Sequence, residues 1–137
     1  MQQRASAKRS GWRRFLRDDR GSFTIEAVIW LPIFVVVLCM IADTALIFAK
    51  QSQVMRVVQD ANRSYAVGKF ADGAATETYI LNLVHAMSPN ATARSTLTNG
   101  IITTTVTMPA RDLIATGMLP VLSGMNVLVV LQQMKEV

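Results

Sequence analysis

The sequence predicts an α+β protein in which a long N-terminal helix, a short second helix and a small three-stranded antiparallel sheet account for most of the chain. Three observations predict it. An apolar run from Ala27 to Ala49 continues into a helical stripe; an Asn-Gly pair separates two strand-like segments; and a late run of apolar β-formers begins at Val127.

The long helix rests on the first observation. The run from Ala27 to Ala49 is interrupted only by Asp43. At about 1.5 Å per helical residue it reaches about 34 Å, enough to cross the hydrocarbon layer of a bilayer. Beyond it, Val54, Val57, Val58, Ala61 and Tyr65 recur at helical spacing, so the helix is expected to run on into water, from about Ser22 to Val67. Asp43 falls near the outer interface and is expected to reach toward water there. Pro32 has no N–H to offer the Val28 carbonyl, which predicts a kink inside the span.

Gly68 and Gly73 punctuate a turn, and a second helix is expected over Ala75–Met87, with Tyr79, Ile80, Leu83, Val84 and Met87 on one face. Ser88-Pro89-Asn90 ends it. Asn99-Gly100 is the preferred pair for a two-residue type I′ hairpin. The register it implies sets Leu97 opposite Ile102, Ser95 opposite Thr104 and Ala93 opposite Val106, with Thr96–Thr103 and Arg94–Thr105 on the other face. Pro109 stops the second strand. Ala110–Met118 is expected as a short helix, and Leu119-Pro120 with Ser123-Gly124 as a loop. Val127–Met134 then reads as a third strand, apolar enough to be central or covered on both faces.

Charge separates the chain into unequal parts. Seven cations (Arg4, Lys8, Arg9, Arg13, Arg14, Arg17, Arg20) stand against Asp18 and Asp19 before Gly21, and this excess equals the +5 of the whole chain. The basic residues precede a hydrophobic helix instead of alternating with aromatics on a folded face. The positive-inside rule accounts for them, and a nucleic-acid partner is not expected. The expected organisation is a basic cytoplasmic leader (1–21), a transmembrane helix (22–49) and a small extracytoplasmic α+β domain (50–137), with 50–67 continuing the span.

A cleaved secretory signal would need an apolar core of about 7–15 residues and a small-x-small site. The run is longer, and Asp43-Thr44-Ala45 is a poor site. Cys39 is the single cysteine, so no intrachain disulfide can form, and Leu38 stands where a lipoprotein signal needs a small residue. His85 has no ligand or carboxylate cluster around it in sequence. The threonines from Thr103 to Thr107 read as β-formers. Paired carboxylates, metal ligands, nucleophile triads and phosphate loops are all lacking. No catalytic residue, metal, cofactor or small-molecule substrate is therefore expected, and the chain reads as a non-enzyme. Asn62-Arg63-Ser64 and Asn90-Ala91-Thr92 match the short glycosylation triplet, which occurs often by chance.

Glu26 is the charge that an ordinary anchor does not need. A carboxylate inside hydrocarbon usually has a partner or a function. If the chain were cut after Gly21, Ser22 would carry a new ammonium and Glu26 would be the fifth residue. A pair between that amine and a neighbouring subunit's glutamate would cancel two charges that are costly when unpaired.

This arrangement resembles the signal of type IV pilins and pseudopilins: a basic leader, a glycine, and a hydrophobic helix with glutamate fifth. The segment RDDRGSFTIEAVIWLPIF is more narrowly similar to the entry segment of TadE-like proteins, minor pilins or pseudopilins of the tight-adherence (Flp) pilus. The matching residues are Asp19, Arg20, Gly21, Thr24, Glu26, Leu31 and Pro32. Ser22 departs from the aromatic or methionine common at that place in type IV pilins.

The resemblance implies a pilin-like fold and cleavage by a prepilin peptidase between Gly21 and Ser22. It implies that Glu26 acts in assembly, and that other pilin subunits and pilus assembly proteins are partners. It also implies a single pass through the bacterial inner membrane, N-terminus cytoplasmic and C-terminal domain periplasmic, with entry into a surface pilus after processing. The rival expectation is an unprocessed single-pass envelope protein serving as a protein-interaction module.

Overall fold

In the computed structural model the described residues are 20–118 and 120–136. The leader expected over 1–21 therefore lies outside them except for Arg20 and Gly21. The chain divides into two compact units, Met1–Leu38 and Cys39–Val137. Helix α1, Arg20–Ala66, supplies the described part of the first and the opening element of the second.

Within the first unit α1 is an apolar helix with no inward face. Every residue from Thr24 to Leu38 is exposed, including Ile25, Ile29, Trp30, Leu31 and Phe34. Pro32 lies inside the helix without ending it. The helix is long and apolar enough to cross a membrane.

The second unit is α+β, as the sequence predicts. Its elements after α1 are α2 (Gly73–Val84), β1 (Thr92–Thr98), β2 (Ile101–Pro109), a 3₁₀ turn (Ala110–Asp112), a one-turn helix α3 (Pro120–Ser123) and β3 (Asn126–Met134). The sheet is antiparallel with order β1-β2-β3. Its first hairpin has the expected register, from Leu97 opposite Ile102 to Ala93 opposite Val106. The turn adopts the left-handed backbone that selects Asn-Gly, with φ of 51° at Asn99 and 78° at Gly100.

The core forms where the outer part of α1 meets α2 and the inner face of the sheet. Val54, Val58 and Ala61 from α1, Ile80 and Val84 from α2, Val106 and Met108 from β2, and Val129 from β3 are all buried in one cluster with Leu113. Tyr65 and Ala66 close the upper end against Ile102. Asp72 caps α2 by accepting from the Ala75 N–H at 2.8 Å. Gly73 lets that first turn press on β1, since a Cβ there would collide with the Ser95 carbonyl.

Four expectations need correction. Helix α2 ends at Val84 and His85–Met87 form a turn, and Leu83 is exposed. Ala110–Met118 is helical only in its first turn, because Asp112 and Thr116 bond to other elements instead of continuing a ladder. The stretch expected as loop contains α3. Finally, β3 is an edge strand: β2 is central, and Leu128 and Val130 lie exposed. A run of apolar β-formers is compatible with either position, and only the pairing partner decides between them.

Candidate functional site

Gly21 and Ser22 lie in the first turn of α1. That end of a helix presents unsatisfied N–H groups and the positive end of its dipole. Glu26 follows about one turn later. It is exposed and flanked by Ile25, Ile29, Trp30 and Ile33, and among the described residues it has no hydrogen bond or ion pair. Ile29, Trp30 and Ile33 stand three, four and seven positions after Glu26, so the carboxylate heads an apolar stripe. It is the only charged residue between Gly21 and Asp43. Such a group is able to accept an ammonium or several N–H donors. Pro32 leaves the Val28 carbonyl, two residues after Glu26, without its helical donor.

Asp43 corrects the sequence reading most sharply. Its expected place was at the interface, reaching for water, yet it is 1% exposed. Oδ1 accepts from the N–H groups of Ala115 and Thr116 at 3.0 and 2.9 Å, and Oδ2 accepts from the Thr116 hydroxyl at 2.5 Å. A buried carboxylate must be satisfied by donors, and here a loop more than seventy residues away provides them. The rule that an ionisable residue in an apolar segment has a partner could have flagged Asp43. Nothing in the sequence of Ala115 and Thr116 names them as that partner.

A second carboxylate organises the same loop from its other end. Asp112 accepts from the Ser88 hydroxyl at 2.8 Å, the Asn90 N–H at 3.2 Å and the Asn90 amide at 3.2 Å. Burial pushes its carboxyl upward, but the Ser88 and Asn90 hydrogen bonds, helped by the Arg111 guanidinium, hold it below its ordinary value. The Asp112 carbonyl accepts from Lys50 Nζ at 3.1 Å. In the core, Thr104 donates to Asn62 Oδ1 at 2.5 Å and so must accept from Ser95 at 2.9 Å. Asn62 is wholly buried, which makes its triplet no acceptor for a sugar. Glu77 accepts the Ser95 N–H at 2.7 Å and covers that edge of β1.

These carboxylates bind backbone, hydroxyl and amide groups, and none faces a histidine. His85 is exposed, with Nε2 3.3 Å from the Ala91 carbonyl. Among the described residues no three His, Cys, Asp or Glu side chains gather as metal ligands.

The class defined by these features is a chain with one N-terminal apolar helix, of the kind that anchors a protein by a single pass, carrying a small α+β unit. A family model described as TadE-like protein matches residues 21–63. Over that stretch, about a third of the chain, the sequence is similar to TadE-like proteins. No curated protein and no solved structure matches.

Proposed function

We propose that this chain is a minor pilin or pseudopilin, cut by a prepilin peptidase after Gly21 and taken into, or used to start, a tight-adherence (Flp) pilus. The observation that carries the reading is the TadE-like match, which begins at Gly21 and runs through Glu26 and Pro32 along the apolar helix. Removing the residues up to Gly21 would discard all seven leader cations and leave a subunit with equal numbers of positive and negative side chains. The new ammonium at Ser22 would then meet the Glu26 carboxylate of a neighbouring subunit, each supplying the charge that the other lacks in apolar surroundings. The bend expected at Pro32 would ease withdrawal of the helix from lipid.

The membrane is then the inner membrane, with the leader in the cytoplasm and the α+β unit outside it. The partners are the peptidase, other pilin subunits and the assembly proteins. The reading includes no enzymatic role.

N-terminal sequencing of the protein recovered from membranes tests the processing step. A start at Ser22 is expected, and an intact leader on every molecule would overturn the reading. Glu26→Ala should leave cleavage intact and abolish assembly; normal pili from that variant would refute the charge pair.

One observation favours a second reading. Helix α1 already includes Arg20 and Gly21, so cleavage requires its first turn to unwind. A permanently anchored envelope protein that binds partners through the α+β unit needs no such step. Its signature is the intact leader.

A further inference from the structure

The loop from Ala110 to Met125 is closed at its base, where the Ala110 N–H donates to the Met125 carbonyl at 2.8 Å. It is a compact surface loop whose ends meet. Two ties fix its course along α1. Lys50, just past the apolar run, holds the Asp112 carbonyl, and Asp43 holds Ala115 and Thr116. Lys50 and Asp43 are two helical turns apart, so the chain descends about 10 Å along the helix between these ties. Thr116 therefore sits level with a residue about 9 Å inside the end of the apolar run at Ala49.

The composition of the loop agrees with that depth. No Asp, Glu, Lys or Arg occurs from Leu113 to Gln133. Three of its large side chains are exposed: Met118 is 52% exposed, Val121 77% and Met125 55%. Exposed apolar side chains grouped on an uncharged loop mark an interaction surface, and this loop is tied at Asp43 to a part of α1 whose Met40, Ile41 and Leu46 are also exposed. Asp43 thus has a use beyond its own satisfaction. Its carboxylate is satisfied by drawing the loop down to it, which gives partners to both of its oxygens and to the N–H groups of Ala115 and Thr116.

We propose that the loop around Met118, Val121 and Met125 is a second membrane-contacting element, seated in the lipid interface at the C-terminal end of the span. The proposal rests on the reading of α1 as a membrane anchor. It assigns the loop to lipid and not to a protein partner. Docked in this way, the α+β unit would have two attachment points instead of one, which restricts its rotation about the helix axis.

Spin labels at single cysteines test it, using the full chain with Cys39→Ala in phosphatidylethanolamine–phosphatidylglycerol vesicles. Labels are placed by Val121→Cys in the loop, Val36→Cys in the span and Thr96→Cys on the outer face of the sheet. Each is read by collision with oxygen, which partitions into lipid, and with a water-soluble nickel chelate.

The expected result is a Val121 label that resembles Val36: open to oxygen, with nickel accessibility severalfold below that at Thr96. A Val121 label as open to nickel as Thr96, with Val36 protected, overturns the loop proposal and leaves the anchor standing. A Val121 label shielded from both reagents means a protein contact and also overturns it. Nickel access at Val36 as well would overturn the anchor reading together with the loop.

Discussion

The stretch of α1 from Thr24 to Leu38 and the stretch from Lys50 to Ala66 share one helix but bury their apolar residues in different ways. In the first, apolar side chains face every direction and all are exposed. In the second, they recur on one stripe, and Val54, Val58 and Ala61 are wholly buried, while Arg56, Gln59 and Arg63 face out. A helix that is hydrophobic all round needs an apolar surrounding, whereas an amphipathic one makes its own core with neighbouring elements. The pattern of apolar residues, more than their number, tells which solvent each stretch is built for.

Substitutions can set the two stretches against each other. Ile80→Ala removes a large side chain from the core that the amphipathic stretch packs against, and should cost about 2–5 kcal/mol of stability. Thermal unfolding would show it, with membrane retention unchanged. Val36→Arg attacks the other stretch. A cation in mid-span costs about 2.5–3.5 kcal/mol for insertion, so carbonate-resistant membrane association should fall while the α+β unit keeps its melting temperature. If either variant moved both readouts together, the division of labour along α1 would be wrong.

Asp72→Ala deletes the α2 cap and should cost about 1 kcal/mol, visible as a small drop in melting temperature. Asp112→Asn adds a pH signature to the α+β unit. Folding holds the Asp112 carboxyl below its ordinary 3.8, so its contribution is complete above that value and is lost as the pH falls through the lower folded value. Asp112→Asn should therefore be less stable than the parent at neutral pH, with the gap closing below pH 3.8 in pH-dependent denaturation.

Much of the fold was legible because the informative residues act locally. Asn99-Gly100 sets its own turn, and the alternation on either side leaves one sensible register. The stripe from Val54 to Tyr65 names its buried face without reference to any partner, although it gives no hint that Asn62 lies beside that face. What was not legible depends on distant pairing. Asp43 looked like a residue on its way to water, because its donors are two backbone N–H groups and one hydroxyl of a loop that no side-chain pattern marks. The edge position of β3 was hidden for the same reason: VLVV reads alike whether one neighbour or two lie beside it. For the candidate site, the roles proposed for Gly21, Glu26 and Pro32 rest on their spacing in the sequence. The clasp at Asp43 required the chain to be folded.

The buried hydrogen bond of Asn62 bears on how the helix finds its place on the sheet. A stripe of valine and alanine is nearly self-similar after one turn, so apolar contact alone would tolerate α1 sliding by about 5.4 Å against the sheet. Asn62 removes that freedom. Its Oδ1 meets Thr104 in one position, and its buried Nδ2 has no hydrogen-bond partner among the described residues even there. A slipped helix would bury the whole amide without a partner, at a cost of about 1–3 kcal/mol for each group left unsatisfied. The amide thus works as an axial index mark. It fixes where along its own length the helix packs on the sheet.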